Sequence, residues 1–282
     1  MCGIIGIIGK KPKSFNFRDI SLFKEMLICD SIRGEDSTGV FSVDNVGNAN
    51  YLKLASHPFN LINSKEYKDW AQSAYANGRV IIGHNRKATE GLINNTNSHP
   101  FVFGNIILVH NGSINNYKSL LHQRDRVKLD IEVDSHAACV LFAKNDPERI
   151  LEEMQGAFTF IWYDVLQKKL FLIRNEERPL SLAVGENKIY ISSEIGLFDW
   201  LLARQDIKTK ITNLVPGVLI TVNLSGDNDD DVFKWEHKII KLYKPKIISL
   251  SNREWGWRTV FPHFDNDDNE NKNANQVKLL PS

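Results

Sequence analysis

From residue 157 onward the chain is written almost wholly in short β runs, at 157–164, 169–173, 180–184, 187–192, 218–223 and 232–243, interrupted by one helical stretch at 194–202. Runs this short, joined by brief polar turns, pair as antiparallel neighbours, because a parallel partner needs a crossover of a dozen residues or more. The first half mixes two signals. Residues 4–8 form an apolar run that could be strand or core helix, and Gly3, Gly6 and Gly9 decide for a strand. Residues 20–28 carry helical apolar spacing. Residues 40–43 and 51–54 flank a Gly/Asn turn and read as a hairpin. A helical stretch follows His57–Pro58 toward residue 76, and strand-like runs follow at 80–84 and 105–110. Residues 116–122, 134–143 and 147–154 read as helices. The pattern is α+β and layered, without alternating βαβ units.

Composition removes several functional classes. The 282 residues carry a net charge of +1, which leaves no electrostatic footprint for nucleic acid or an anionic membrane. No apolar run approaches the roughly 20 residues that span a bilayer. The apolar start lacks a basic leader, and Cys2 stands where myristoylation needs glycine. Three cysteines, Cys2, Cys29 and Cys139, show no metal-ligand spacing, so a reducing cytoplasm is expected. Cys29 and Cys139 sit among apolar helix positions and read as inert core residues. His84 and His110 each end an apolar run and read as satisfied, partly buried side chains. His99, before Pro100, reads as a loop-shaping residue.

Cys2 carries the most chemistry. A thiol at its free pKa is only slightly ionised at neutral pH and needs a base. If Met1 is removed, the α-amine of Cys2, with a reference pKa of about 7.7–8.0, supplies that base within the same residue. The competing reading is a merely buried cysteine. The glycine-spaced strand behind it favours the first, since it would hold the terminus rigidly.

Further motifs follow in order: MCGIIG at the start, RGEDSTG at 33–39, GHNRKATEG at 83–91, TNSHP at 96–100, HNGSINNY at 110–117, EVDSHA at 132–137, GAFTFIWYD at 156–164 and NEERPLSLAVGENKIYISSE at 175–194. Together they resemble the class II glutamine amidotransferases, a branch of the N-terminal nucleophile hydrolases that includes the glutaminase domains of glucosamine-6-phosphate synthase and glutamine phosphoribosylpyrophosphate amidotransferase. The resemblance covers roughly residues 2–245. It implies a four-layer αββα sandwich and hydrolysis of L-glutamine with Cys2 as nucleophile, needing no metal or organic cofactor.

Roles follow from the same resemblance. Arg86 matches the arginine that grips the substrate α-carboxylate, a task suited to a guanidinium fork. Thr89 would add a hydroxyl there, or else cap a helix or a turn. Asp134 matches the residue that holds the α-ammonium, and it also suits an N-cap. Asn111 and Gly112 match the oxyanion donors, while Asn-Gly on its own reads as a turn. Arg33 either supports Cys2 or forms a structural ion pair with Asp36.

The departures limit what the resemblance implies. Lys87 stands at the usual Trp of the closing loop, Glu90 at a His and Phe101 at a second His, which puts tight gating in doubt. No acceptor domain is read after residue 245, so ammonia is expected to pass to a separate synthetase or to solvent. Two rivals keep the fold: an amidohydrolase for another amide, and a non-catalytic regulatory subunit. Residues 246–282 read as an aromatic segment, with Trp255, Trp257, Phe261 and Phe264, followed by an Asn/Asp-rich disordered tail. The aromatics would dock a partner or fold back on the domain. The acidic run 227–231 reads as a solvated turn.

Overall fold

The computed structural model describes residues 2–124, 131–225 and 234–244. Met1, the run 227–231 and the segment 246–282 with its aromatics lie outside the described residues. The described residues form two antiparallel sheets. The first runs in the order β11 (Ile211–Asn213), β9 (Ser181–Val184), β10 (Lys188–Ser192), β1 (Gly3–Gly9), β4 (Gly78–Arg86), β2 (Ser37–Asp44), β3 (Ala49–Leu54). The second runs β13 (Trp235–Ile239), β12 (Val218–Asn223), β8 (Lys169–Arg174), β7 (Gly156–Asp164), β6 (Ile106–Ile114), β5 (Phe101–Phe103).

Three apolar cores define the layers. Ile4, Ile8, Val80 and Ile82 of the first sheet meet Ile107, Val109, Ile161 and Tyr163 of the second between the sheets. The alternate residues Ile5, Ile7 and Ile81 face the other way. There they pack under α1 (Phe17–Cys29), α2 (Pro58–Asn63), α3 (Lys65–Asn77) and α7 (Ile195–Arg204). Leu108, Phe158, Phe160 and Trp162 likewise turn outward beneath α4 (Tyr117–Arg124), α5 (Asp134–Lys144) and α6 (Pro147–Glu153). The order is therefore helix, sheet, sheet, helix. A strand covered on both faces has no polar side, so β1 and the 80–83 stretch of β4 read as continuous apolar runs.

Local signals explain the boundaries. Asn16 and Asp19 form a reciprocal cap at the start of α1, with Asn16 Oδ1 accepting from Asp19 N at 3.1 Å and Asp19 Oδ2 from Asn16 N at 2.7 Å. The helix expected after Pro58 is two helices, because Ser64 leaves helical geometry and its hydroxyl caps Tyr67 N at 3.1 Å. Strands β5 and β11 have three residues each. Neither is long enough for a periodic signal, and the sequence reading passed over both.

One buried acid marks the start of β1. Asp30 is 2% exposed and lies against Gly3, where a Cβ would fall 1.8 Å from Oδ2. Oδ2 accepts from Asn85 Nδ2 at 3.2 Å, and Oδ1 has no partner. It lines a cavity of about 10 Å³ with Cys29, Ser192 and Glu194. Burial pushes the Asp30 carboxyl up to about 8, against the pull of Arg33. The folded state therefore keeps a proton that the unfolded chain releases near pH 4. Stability is highest below that value and is lost as pH rises through about 8. Asp30→Asn mimics the neutral acid, so its Tm advantage over wild type is expected to be larger at pH 8 than at pH 5. Thermal unfolding at both pH values measures it, and an equal difference at the two would refute a neutral Asp30.

Candidate active site

Of the sequence-selected residues, Arg33 ends the short 3-10 helix Asp30–Arg33, Thr89 lies in the loop after β4, and the others come from four elements. Cys2 precedes β1, Arg86 ends β4, Asn111 and Gly112 lie in β6, and Asp134 opens α5. Strand β1 pairs with β4 up to Gly3↔Asn85, and Cys2 and Arg86 are the chain neighbours of that last pair. The sheets are joined beside the site by His84 Nε2 and the His110 carbonyl, 2.8 Å apart. That bond fixes β6, and with it Asn111, relative to β4.

Cys2 is held by its backbone. Arg33 Nε donates to the Cys2 carbonyl at 2.9 Å, and Arg33 Nη1 pairs with Glu194 Oε2 at 3.0 Å. Asp36 is not the partner of Arg33. It pairs with Lys87 Nζ at 3.3 Å and accepts from Ala88 N at 2.8 Å, so it fastens the start of the loop after β4. The Cys2 thiol donates to the Lys87 carbonyl at 3.6 Å. Burial raises its pKa, and the Lys87 backbone and the Arg86 charge offset part of that rise. Among the described residues no histidine is bonded to the thiol. His84, pushed down to about 3, and His99 and His110, also lowered, are all kept neutral chiefly by burial.

Arg86 is 3% exposed. Its guanidinium donates to the carbonyls of Glu90 and Leu92, so it braces the loop it precedes. Thr89 lies exposed on that loop, which contains no helix for it to cap. Asp134 is the first residue of α5, and Val133 occupies the N-cap. Its Oδ1 accepts from Ser135 N at 2.7 Å and its Oδ2 from Ile114 N at 2.8 Å, tying α5 to the end of β6. Arg86 and Asp134 both act electrostatically on the Cys2 thiol, with opposite signs.

The Asn-Gly pair is not a turn. Strand β6 runs through it, with Asn111 opposite Thr159 and Gly112 opposite Phe158. Gly112 has φ +153°, and a Cβ there would lie 1.8 Å from the Ala157 carbonyl oxygen, so only glycine fits. The Asn111 side chain is 1% exposed, yet neither Oδ1 nor Nδ2 has a partner. A buried amide left unpaired costs stability and is uncommon away from function.

Other expectations separate in the same way. Cys139, on α5, is fully buried in the core beneath that helix, and Cys29, the last residue of α1, is partly buried against the core under α1. His84 and His110 are more deeply buried than expected. His99 lies tilted against His84 with ring centroids 3.7 Å apart, and both of its ring nitrogens lack a protein partner. Among the described residues no three His, Cys, Asp or Glu side chains are grouped to hold a metal ion, and no helix is long and apolar enough to cross a membrane. The sequence reading missed Asp30, Asn97, Glu132 and Glu194. Asn97 and Glu132 stood inside quoted motifs, but the partner of each is distant in the chain.

Two stacked antiparallel sheets between helical layers, with a cysteine at the head of a central strand, give the four-layer αββα architecture that the resemblance implies. The solved glutamine phosphoribosylpyrophosphate amidotransferase from B. subtilis, complexed with ADP and GMP, shares the fold, with TM-score 0.64 and 18% identity over 85% of this chain and 49% of that one. A structure described as the allosteric regulatory enzyme of purine biosynthesis gives TM-score 0.65 and 19% identity over the same shares. Residues 84–199 match the family model of a glutamine amidotransferase domain. Glutamine–fructose-6-phosphate aminotransferase (isomerizing) of Mycobacterium leprae is 25% identical over 214 residues, 70% of this chain and 33% of that protein. The Sulfolobus acidocaldarius protein of the same name is 28% identical over 212 residues, 70% of this chain and 34% of its own. The chain is similar in fold to the solved amidotransferases and, over residues 84–199, in sequence to the glutamine amidotransferase domain family. It spans about a third of the length of these curated relatives.

Proposed function

We propose that this domain hydrolyses L-glutamine to glutamate and ammonia through a γ-glutamyl thioester on Cys2, and passes the ammonia to a separate acceptor enzyme. The observation that carries this reading is a half-buried thiol at the head of β1, with the cation Arg86 at the end of the paired strand β4 and the anion Asp134 at the start of α5. That pair matches a zwitterionic amino-acid head whose side chain reaches the sulfur. The Cys2 α-amine takes the thiol proton, and the thiolate attacks the Cδ carbonyl. Asn111 Nδ2 and the Gly112 N–H receive the oxyanion. The protonated amine returns its proton to the leaving nitrogen, and water then cleaves the thioester. Arg33 keeps the Cys2 backbone in place, and Thr89 adds a hydroxyl to the carboxylate. All three cysteines are free, in keeping with a reducing cytoplasm.

A glutamine-like diazoketone is expected to add one equivalent to Cys2, read by peptide mass. Glutamate release should fall sharply when γ-glutamyl peptides or simple acyl amides replace glutamine. A flat profile over these substrates would favour the broader amidohydrolase, and no labelling at all the non-catalytic subunit. Arg86→Lys keeps the charge but loses the planar fork, so KM for glutamine should rise roughly tenfold or more, with kcat less affected. An unchanged KM would remove Arg86 from the carboxylate site.

A further inference from the structure

The carboxylate and ammonium of an α-amino acid hang from one carbon, so the two groups that grip them must keep a fixed separation. Arg86 and Asp134 belong to different layers, β4 of the first sheet and α5 over the second. What joins them is the loop 87–100. On one side Arg86 donates to the carbonyls of Glu90 and Leu92. On the other, Asn97 Nδ2 donates to the Leu92 carbonyl at 3.2 Å and to Glu132 Oε2 at 2.7 Å. The Leu92 N–H points to the same Glu132 oxygen at 3.5 Å. Gly91, at φ +71°, lets the loop close against this segment, since a Cβ there would lie 2.8 Å from Val133 Cγ2. Asn97 is 4% exposed and Val133 3%, so this junction is packed as well as bonded. Glu132 stands two residues before Asp134.

Resting on the glutaminase reading above, we propose that Glu132 and Asn97 form a latch that sets the spacing between Arg86 and Asp134, and so act as positioning residues for the α-amino-acid head of glutamine. Neither side chain is assigned to the reacting atoms. The 2.7 Å contact joins a carboxylate to an amide donor, the stronger kind of hydrogen bond. Losing it should loosen the grip on the substrate head while the thiol chemistry continues.

The test exchanges the polarity of the bond. Asn97→Asp faces one carboxylate with another and should raise KM for glutamine roughly tenfold. Its kcat should stay within about twofold of wild type. Alkylation of Cys2 by iodoacetamide, which needs no amino-acid head, should proceed at the wild-type rate. Adding Glu132→Gln lets the new amide donate to the new carboxylate, and the double variant should recover to within about threefold of the wild-type KM. A double variant no better than Asn97→Asp overturns the latch, as does a wild-type KM in both Asn97→Asp and Glu132→Ala. Should Asn97→Asp fail to fold, Glu132→Ala, altered on the exposed side of the junction, decides alone. A wild-type protein that releases no glutamate from glutamine refutes the functional reading itself, a failure separate from an active enzyme indifferent to the latch.

Discussion

Any residue left ahead of Cys2 is expected to lower glutamine hydrolysis by roughly 10²–10⁴-fold, the contribution of a positioned general base. The thiol lies above its ordinary pKa through burial, so little thiolate forms unaided. No imidazole is bonded to it among the described residues, and the nearby His84, His99 and His110 are held neutral within the core. In the proposed mechanism the α-amine is the base, and an amide nitrogen cannot replace it. The fold should not notice the extension. Cys2 is anchored through its carbonyl to Arg33, and Gly3 through the β1–β4 pairing, and neither contact uses the α-amine. A cleavable tag assayed before and after a Cys2 terminus is restored gives the comparison, with circular dichroism to confirm equal folding. Equal rates in the two forms would exclude the α-amine as base. Cys2→Ala should lose the diazoketone label altogether. Cys139→Ala should keep it, because that thiol is fully buried and pushed up to about 12.

The layered fold was legible because the central strands alternate between two cores. Ile4 and Ile8 point between the sheets while Ile5 and Ile7 point beneath α1, so the residues of β1 are apolar without being helical. What the sequence hid depended on contacts far apart along the chain. Arg33 and Asp36 are close in sequence and opposite in charge, yet Arg33 bonds Glu194, 161 residues away, and Asp36 bonds Lys87. Asn-Gly is a strong local turn signal. It is overridden here because β7 pairs along both residues and brings the Ala157 carbonyl against the Gly112 Cα. Arg86 and Asp134 could be proposed as substrate anchors by motif, since the chemistry they would use is written in the residue type. The Glu132–Asn97 bond could not, since nothing local to either residue predicts its partner.

Asn111→Ala is expected to lower kcat by roughly 10²–10³, the usual cost of removing one oxyanion donor. The same substitution should leave Tm unchanged or slightly raised. That second expectation separates function from structure. If Asn111 were kept for folding, its amide would bond something, as Asn85 does to the Leu27 carbonyl at 2.8 Å and to Asp30 at 3.2 Å. Instead both Asn111 side-chain atoms are buried without a partner, in a strand whose backbone is already paired with β7. Truncation to alanine therefore breaks no hydrogen bond to another protein group and removes two buried polar atoms. The lost packing opposes that gain, and the amide is small enough that the two effects nearly cancel. Asn85→Ala is the matched control: it breaks bonds that are made in the structure and should lower Tm clearly. Single-turnover thioester formation and thermal unfolding, run on the same preparations, supply both readouts. A large fall in Tm for Asn111→Ala with an unchanged rate per folded molecule would make the residue a structural one, and would leave the oxyanion with only the Gly112 N–H.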